Sequence, residues 1–221
     1  MSISTKINSV IQRVRNDGVK GTLHWLHGRI QSQYLERKYG IHTNDIVFLN
    51  KLGLDHPERR EYAPVTFNDF STLLQNLDIG AGKDVFVDFG AGMGRALVLA
   101  ATYNFRQVIG VELSSELATI ATRNIERASP KLRCKDVVIF TQDATEYDLP
   151  VDANVIFFNN PFSGTILERV LSNIKKSLLR SPRNITLICN LPAECAFEKQ
   201  MRQQDWHFCR RNYRWAEIEK V

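Results

Sequence analysis

The chain has 221 residues, 43% of them hydrophobic and 24% charged, with a formal net charge of +5 at neutral pH. That supplies one core of ordinary domain size, and no apolar run approaches the roughly 20 residues a membrane-spanning helix needs. The charge is uneven: residues 1–60 hold ten Lys/Arg against five Asp/Glu and the remainder nineteen of each, so any attraction for an acidic partner belongs to the N-terminal segment.

Residues 1–60 read as a basic, helical N-terminal extension, and residues 61–221 as one α/β domain. In the extension Ile3, Ile7, Val10, Ile11 and Val14 recur at helical spacing until Asn16-Asp17-Gly18 ends the pattern. A second apolar stripe, Leu23, Leu26, Ile30, Tyr34 and Leu35, stops near Gly40. Such stripes ordinarily pack, which predicts helices laid over the open end of a ligand cleft; the alternative is a membrane surface or an acidic partner such as nucleic acid. Asp55 to Glu61 is polar, contains Pro57 and reads as a loop. Thr66, with Asp69 three residues on, starts a predicted helix over 67–77.

From there strands and helices alternate. Strands are predicted over 84–89, 107–112, 136–141, 151–159 and 184–190, with helices over 95–103, 115–129, 166–179 and 193–203 between and after them. The unbroken apolar run at 151–159 suits a strand covered on both faces. This alternation implies a doubly wound, mostly parallel sheet with right-handed crossovers, flanked by helices. Residues 206–221 read as one or two closing strands, where Arg210-Arg211-Asn212-Tyr213-Arg214-Trp215 interleaves cations and aromatics. The N-terminus shows no secretory pattern, and Cys134, Cys189, Cys195 and Cys209 lack the short paired spacing of metal ligands. A reduced, metal-free, cytoplasmic protein is expected.

The chemistry concentrates after the first strand, in Asp88-Phe89-Gly90-Ala91-Gly92-Met93-Gly94-Arg95. In a doubly wound sheet ligands bind beyond the carboxyl ends of the strands, and glycines there let backbone approach a ligand closely. The spacing is not that of a dinucleotide fingerprint: the third glycine falls one residue early and Arg95 stands where Gly or Ala is required. A carboxylate at Asp88 also sits poorly beside a pyrophosphate, whereas it suits S-adenosylmethionine, which carries an ammonium and a sulfonium. The second strand ends on Glu112, placed to accept from both ribose hydroxyls. Asp143, after the third strand, is placed to accept from the adenine amine, with Leu113 and Ala144 against the ring. Asp143 equally fits a loop cap.

Taken together, Asp88 through Arg95, Glu112 and Asp143 resemble the successive cofactor motifs of class I methyltransferases. The resemblance spans about residues 62–190. It implies a seven-stranded sheet of order 3-2-1-4-5-7-6 with an antiparallel seventh strand. It also implies cofactor contacts from Asp88, Gly90, Ala91, Gly92, Gly94, Arg95, Glu112, Leu113, Asp143, Ala144 and Asn159, with S-adenosylhomocysteine as product and residues 61–221 as the methyltransferase domain. The fourth strand ends in Phe158-Asn159-Asn160-Pro161-Phe162. This string is similar to the Asn/Asp-Pro-Pro-Tyr/Phe motif of amine N-methyltransferases, less its second proline. It also resembles the Asn-Asn strand end of histone lysine methyltransferases of the disruptor-of-silencing type. Tyr62-Ala63-Pro64 is similar to a Tyr/Phe-x-Pro segment in some bacterial and mitochondrial lysine methyltransferases. Asn159, Asn160, Pro161, Phe162 and Tyr62 are the expected acceptor-side residues, and an amine, foremost a protein lysine, the expected acceptor. The alternatives are a small molecule or saccharide as acceptor, an NAD(P)-binding oxidoreductase, or a cofactor-binding subunit without activity.

Overall fold

The computed structural model describes residues 3–190, 207–210 and 215–219. The predicted helix over 193–203, Cys195 and residues 211–214 of the cation–aromatic cluster lie outside them. Among the described residues seven strands form one sheet in the order β3-β2-β1-β4-β5-β7-β6, as the resemblance implied. They are β1 (Val85–Phe89), β2 (Gln107–Glu112), β3 (Val137–Thr141), β4 (Ala153–Phe158), β5 (Thr186–Asn190), β6 (His207–Arg210) and β7 (Trp215–Glu219). The pairs among β1 to β5 are parallel, and β7 runs antiparallel between β5 and β6. The helices are α1 (Ile3–Tyr39), α2 (Phe67–Gln75), α3 (Arg95–Ala100), α4 (Ser115–Ala128) and α5 (Gly164–Arg180).

The sheet separates two apolar layers, and side chains of the central strands alternate between them. Phe86 of β1 and Val155 and Phe157 of β4 join Phe67, Phe70 and Leu97 on one face. Val85, Val87 and Phe89 with Ile156 and Phe158 join Leu167 and Leu171 of α5 on the other. Aromatic rings knit both layers: Phe70 meets Phe157 edge-on at 5.0 Å, and Phe89 stacks on Phe158 at 5.3 Å. β1 is buried along its whole length, which explains its unbroken apolar run around Asp88. Because β2 and β4 flank β1 on opposite sides, the chain's switch point lies at the β1 tip, where Asp88 pairs across to Gly110 and Phe157.

Local signals placed most elements. Thr66 caps α2 by accepting from the Asp69 amide at 3.1 Å, and Ser114 caps α4 by accepting from the Leu117 amide at 3.2 Å. The predicted helix over 95–103 ends earlier, at Ala100, and continues only as turns. The predicted strand over 151–159 is shorter, because Asn159 and Asn160 already bend away.

In the N-terminal segment the two predicted helices are both present, joined end to end within α1 at Gly18, whose non-helical φ of 68° and ψ of 176° kink the axis without a loop. The stripe Leu23, Leu26, Ile30 and Tyr34 does not pack over the cleft but is exposed; Leu35 alone of the predicted set lies against the core, with Tyr39 beside it. Helical rotation explains this, since Leu35 and Tyr39 project from the opposite side of the helix.

Candidate active site

One cavity opens at the carboxyl ends of β1, β2 and β4 and collects most of the residues singled out in the sequence. Asp88, Gly90, Ala91, Gly92 and Arg95 line it from the glycine turn, Glu112 and Leu113 from the end of β2, and Asp143 and Ala144 from beyond β3. Asn159, Pro161 and Phe162 line it from beyond β4, and Tyr62 from the connector. Gly94 and Asn160 are not on its wall. Gly94 is the residue before α3, and Asn160 sits in the left-handed region at φ 50°, which asparagine tolerates.

The glycine turn is held by Val111, whose carbonyl accepts from the Gly90 amide at 2.9 Å and the Ala91 amide at 3.2 Å. Its glycines admit protein as well as ligand: a Cβ on Gly90 would stand 2.4 Å from Cβ of Pro161. The Glu112 carboxylate accepts from the Gly92 amide and from the Ser114 amide, both at 2.8 Å. It therefore braces the turn against the start of α4. Burial pushes the Glu112 carboxyl above its ordinary range, against the pull of these backbone donors.

Asp88 is the more telling acid. It is buried, and its Oδ1 is the one buried side-chain polar atom without a hydrogen-bond partner among the described residues. Burial, with the nearby Glu112 carboxylate adding to it, holds the Asp88 carboxyl well above its ordinary range. A buried acceptor without a donor is costly, and it fits a ligand that brings a cationic N–H to this position. The ammonium of S-adenosylmethionine is such a group; a pyrophosphate is not.

Other expected residues have further attachments. Asp143 accepts from the Thr145 amide at 2.8 Å and hydroxyl at 2.7 Å, so it does cap its loop, and its second oxygen lies 3.5 Å from the Arg59 guanidinium. Arg95 lines the cavity, but its guanidinium turns to the N-terminal segment. It donates to Thr43 Oγ1 at 2.7 Å, the Val65 carbonyl at 3.0 Å and Asn44 Oδ1 at 2.7 Å, and lies 3.5 Å from Glu36. Tyr62 donates its hydroxyl to the Thr43 carbonyl at 3.0 Å, and burial keeps the phenol far above its ordinary range, so it stays protonated. Asn159 donates to the Ala63 carbonyl at 2.8 Å.

These contacts show that the loop predicted at 55–61 is part of a strap laid along the cavity. Among the described residues no part of α1 lines the cavity; residues 49–65 do. The strap pairs Val47 with Tyr62 and Arg59 with Phe162, and the Arg60 amide donates to the Pro161 carbonyl at 3.0 Å. Glu58 then accepts from the Thr165 amide at 3.0 Å and the Ile166 amide at 3.2 Å, capping α5. Asn124 is a second residue not anticipated. From α4 it accepts from the His42 amide and donates to the carbonyls of His42 and Met93, fastening the strap's start to the glycine turn. A buried asparagine inside an amphipathic helix was the available signal.

Comparison with known proteins agrees with this arrangement. A curated relative, the rRNA N(6)-adenosine-methyltransferase metl-5 of Caenorhabditis elegans, is 30% identical over 122 residues, covering 53% of this chain. The chain spans 56% of that relative's length. An RNA methyltransferase from Salinibacter ruber, crystallised in complex with S-adenosyl-L-homocysteine, shares the fold with a TM-score of 0.54 at 16% identity, over 71% of this chain and 92% of its own. An S-adenosylmethionine-dependent methyltransferase from Aquifex aeolicus does so with a TM-score of 0.53 at 15% identity, over 69% and 90%. Residues 59–200 match the family described as Histone methylation protein DOT1. The strap from Arg59 and the whole β1–β5 scaffold fall inside that match; the chain belongs to this family and has the fold of class I S-adenosylmethionine-dependent methyltransferases.

Proposed function

We propose that the protein N-methylates an amine, with a lysine side chain of a protein as acceptor. The observation that carries this reading is the β4 tip. Asn159, Pro161 and Phe162 line the same cavity as Asp88 and Glu112, and the strap's Tyr62 and Ala63 close against them. Membership in a family described by histone methylation supports the same acceptor class.

S-adenosylmethionine, when bound, supplies a methyl group already activated on its sulfonium. The chain's own work is therefore to hold and to exclude. Asp88 takes the ammonium, Glu112 the ribose hydroxyls, and Asp143 with Leu113 and Ala144 the adenine. Asn159, its amide plane fixed by the Ala63 carbonyl, and the backbone at Asn160 orient the acceptor nitrogen in line with the methyl. The rings of Phe162 and Tyr62 keep water out, which favours the neutral, nucleophilic amine. Tyr62 takes no proton, since its phenol is protonated and committed to Thr43.

A second reading, the exocyclic amine of an RNA adenine, is favoured by the Caenorhabditis elegans relative. The two separate cleanly. Protein is incubated with tritium-methyl S-adenosylmethionine and either nuclease-treated protein extract or protease-treated RNA. Label recovered as methyl-lysine supports the first reading; label recovered only as N6-methyladenosine replaces it with the second.

A further inference from the structure

We propose that the second half of α1 lies along an anionic membrane surface. Val19, Leu23, Leu26, Ile30 and Tyr34 fall in one narrow stripe on the helix, and each is between 41% and 64% exposed. The helix holds to the domain by its other side. Leu35 and Tyr39 pack on the core, Gln31 bonds to Asn68 of α2, and Glu36 reaches Thr43 and Arg95. The stripe thus points away from the domain rather than into it.

The shoulders of the stripe are cationic. Lys20 and Lys38 project on one side and Arg29 on the other, all exposed, and Arg29 rests over the Trp25 ring at 5.0 Å. From Gly18 to Tyr39 the sole acid is Glu36, already engaged with Thr43 and Arg95. An apolar line between cations matches the boundary between acyl chains and anionic headgroups, which accepts both kinds of group at once. A second copy of the helix would cover the apolar line but set these cations against their own kind. Nucleic acid would answer the cations but offers no apolar layer to the stripe. Among the described residues no helix is long and apolar enough to cross a membrane, so this one lies on the surface.

The test is co-sedimentation of the full chain with vesicles of phosphatidylcholine alone or mixed with phosphatidylglycerol. Binding to the mixed vesicles only is expected. It should fall at least about tenfold in Leu23→Glu/Ile30→Glu and, independently, in Lys20→Glu/Arg29→Glu. Both variants should bind S-adenosylhomocysteine as wild type does, which shows them folded. The proposal is overturned if wild type sediments with neither vesicle, or if the stripe variant sediments equally. It is also overturned if sedimentation velocity shows a wild-type dimer that the stripe substitutions split.

Discussion

The ring of Tyr62 lies so close over Gly92 that a Cβ built on that glycine would stand 2.1 Å from Cδ2 of the tyrosine. Gly92 also has φ +54°, so a side chain there is opposed by backbone and neighbour alike. Gly92→Ala is expected to destabilise the protein by about 1–3 kcal/mol. Tyr62→Ala should remove the neighbour's share, so the double variant costs less than the two single ones together. Urea unfolding of the four proteins measures this, and strict additivity would show that the ring does not press on the turn.

Glu112 is expected to matter before any ligand arrives. Glu112→Ala leaves the buried amides of Gly92 and Ser114 without their acceptor, a loss of about 2–4 kcal/mol in stability. Calorimetric affinity for S-adenosylhomocysteine should drop at least about a hundredfold. Unchanged affinity in a folded variant would remove Glu112 from the cofactor site.

Both buried acids have folded-state pKa values above their unfolded ones, near 3.8 for Asp88 and 4.5 for Glu112. Their contribution to stability is complete below those unfolded values and is lost as pH rises through the raised ones. Ligand-free protein is thus expected to weaken as pH climbs from about 4 toward neutrality. Asp88→Asn should raise its melting temperature at pH 7 while lowering affinity for S-adenosylmethionine. Donor affinity in wild type should increase with pH as Asp88 ionises, and this slope should flatten in Asp88→Asn. Parallel pH profiles for the two proteins would contradict the assignment of the ammonium to Asp88.

With Asp143 holding the adenine amine, as proposed above, Arg59 would compete for the same carboxylate. The ion pair is partly exposed, so its worth is at most about 1 kcal/mol. Arg59→Gln is expected to strengthen donor binding by up to about fivefold, and Asp143→Ala to weaken it. Titration at low and high salt checks this, since added salt should mimic Arg59→Gln.

Asn160 combines a special backbone conformation with a place in the acceptor-side string. Asn160→Gly keeps the left-handed φ of 50° accessible, so stability and turnover should both hold, whereas the β-branched Asn160→Val opposes that φ and should lower turnover on the true acceptor at least about tenfold. Full turnover in a folded Asn160→Val would remove the backbone at this position from the acceptor site.

Much of the scaffold was legible because its signals are local. The apolar runs of β1 and β4, the cap at Thr66 and the glycine turn after Asp88 all act within a few residues of themselves. Asp88 and Glu112 were legible for a related reason: in a parallel sheet, the last residues of β1 and β2 must emerge at one end. The strap was not. The pairing of Arg59 with Phe162 and the cap of Glu58 on Thr165 join residues far apart in the chain, and neither leaves a periodic trace. Arg95 was read toward the ligand because its neighbours face it, yet the buried Thr43 and Val65, with Asn44 beside them, offer its donors better company. The stripe on α1 was found by its spacing, but spacing gives a face without saying what the face meets.

The lone oxygen of Asp88 ties the lifetime of the protein to its fuel. Without a cationic partner the site works against the fold, and a bound donor reverses that sign, so folded protein is expected to accumulate when donor is plentiful and to be cleared faster when donor is scarce. Such a methyltransferase would register donor supply twice, in the rate of each molecule and in the number of molecules, and Asp88→Asn would blunt the second.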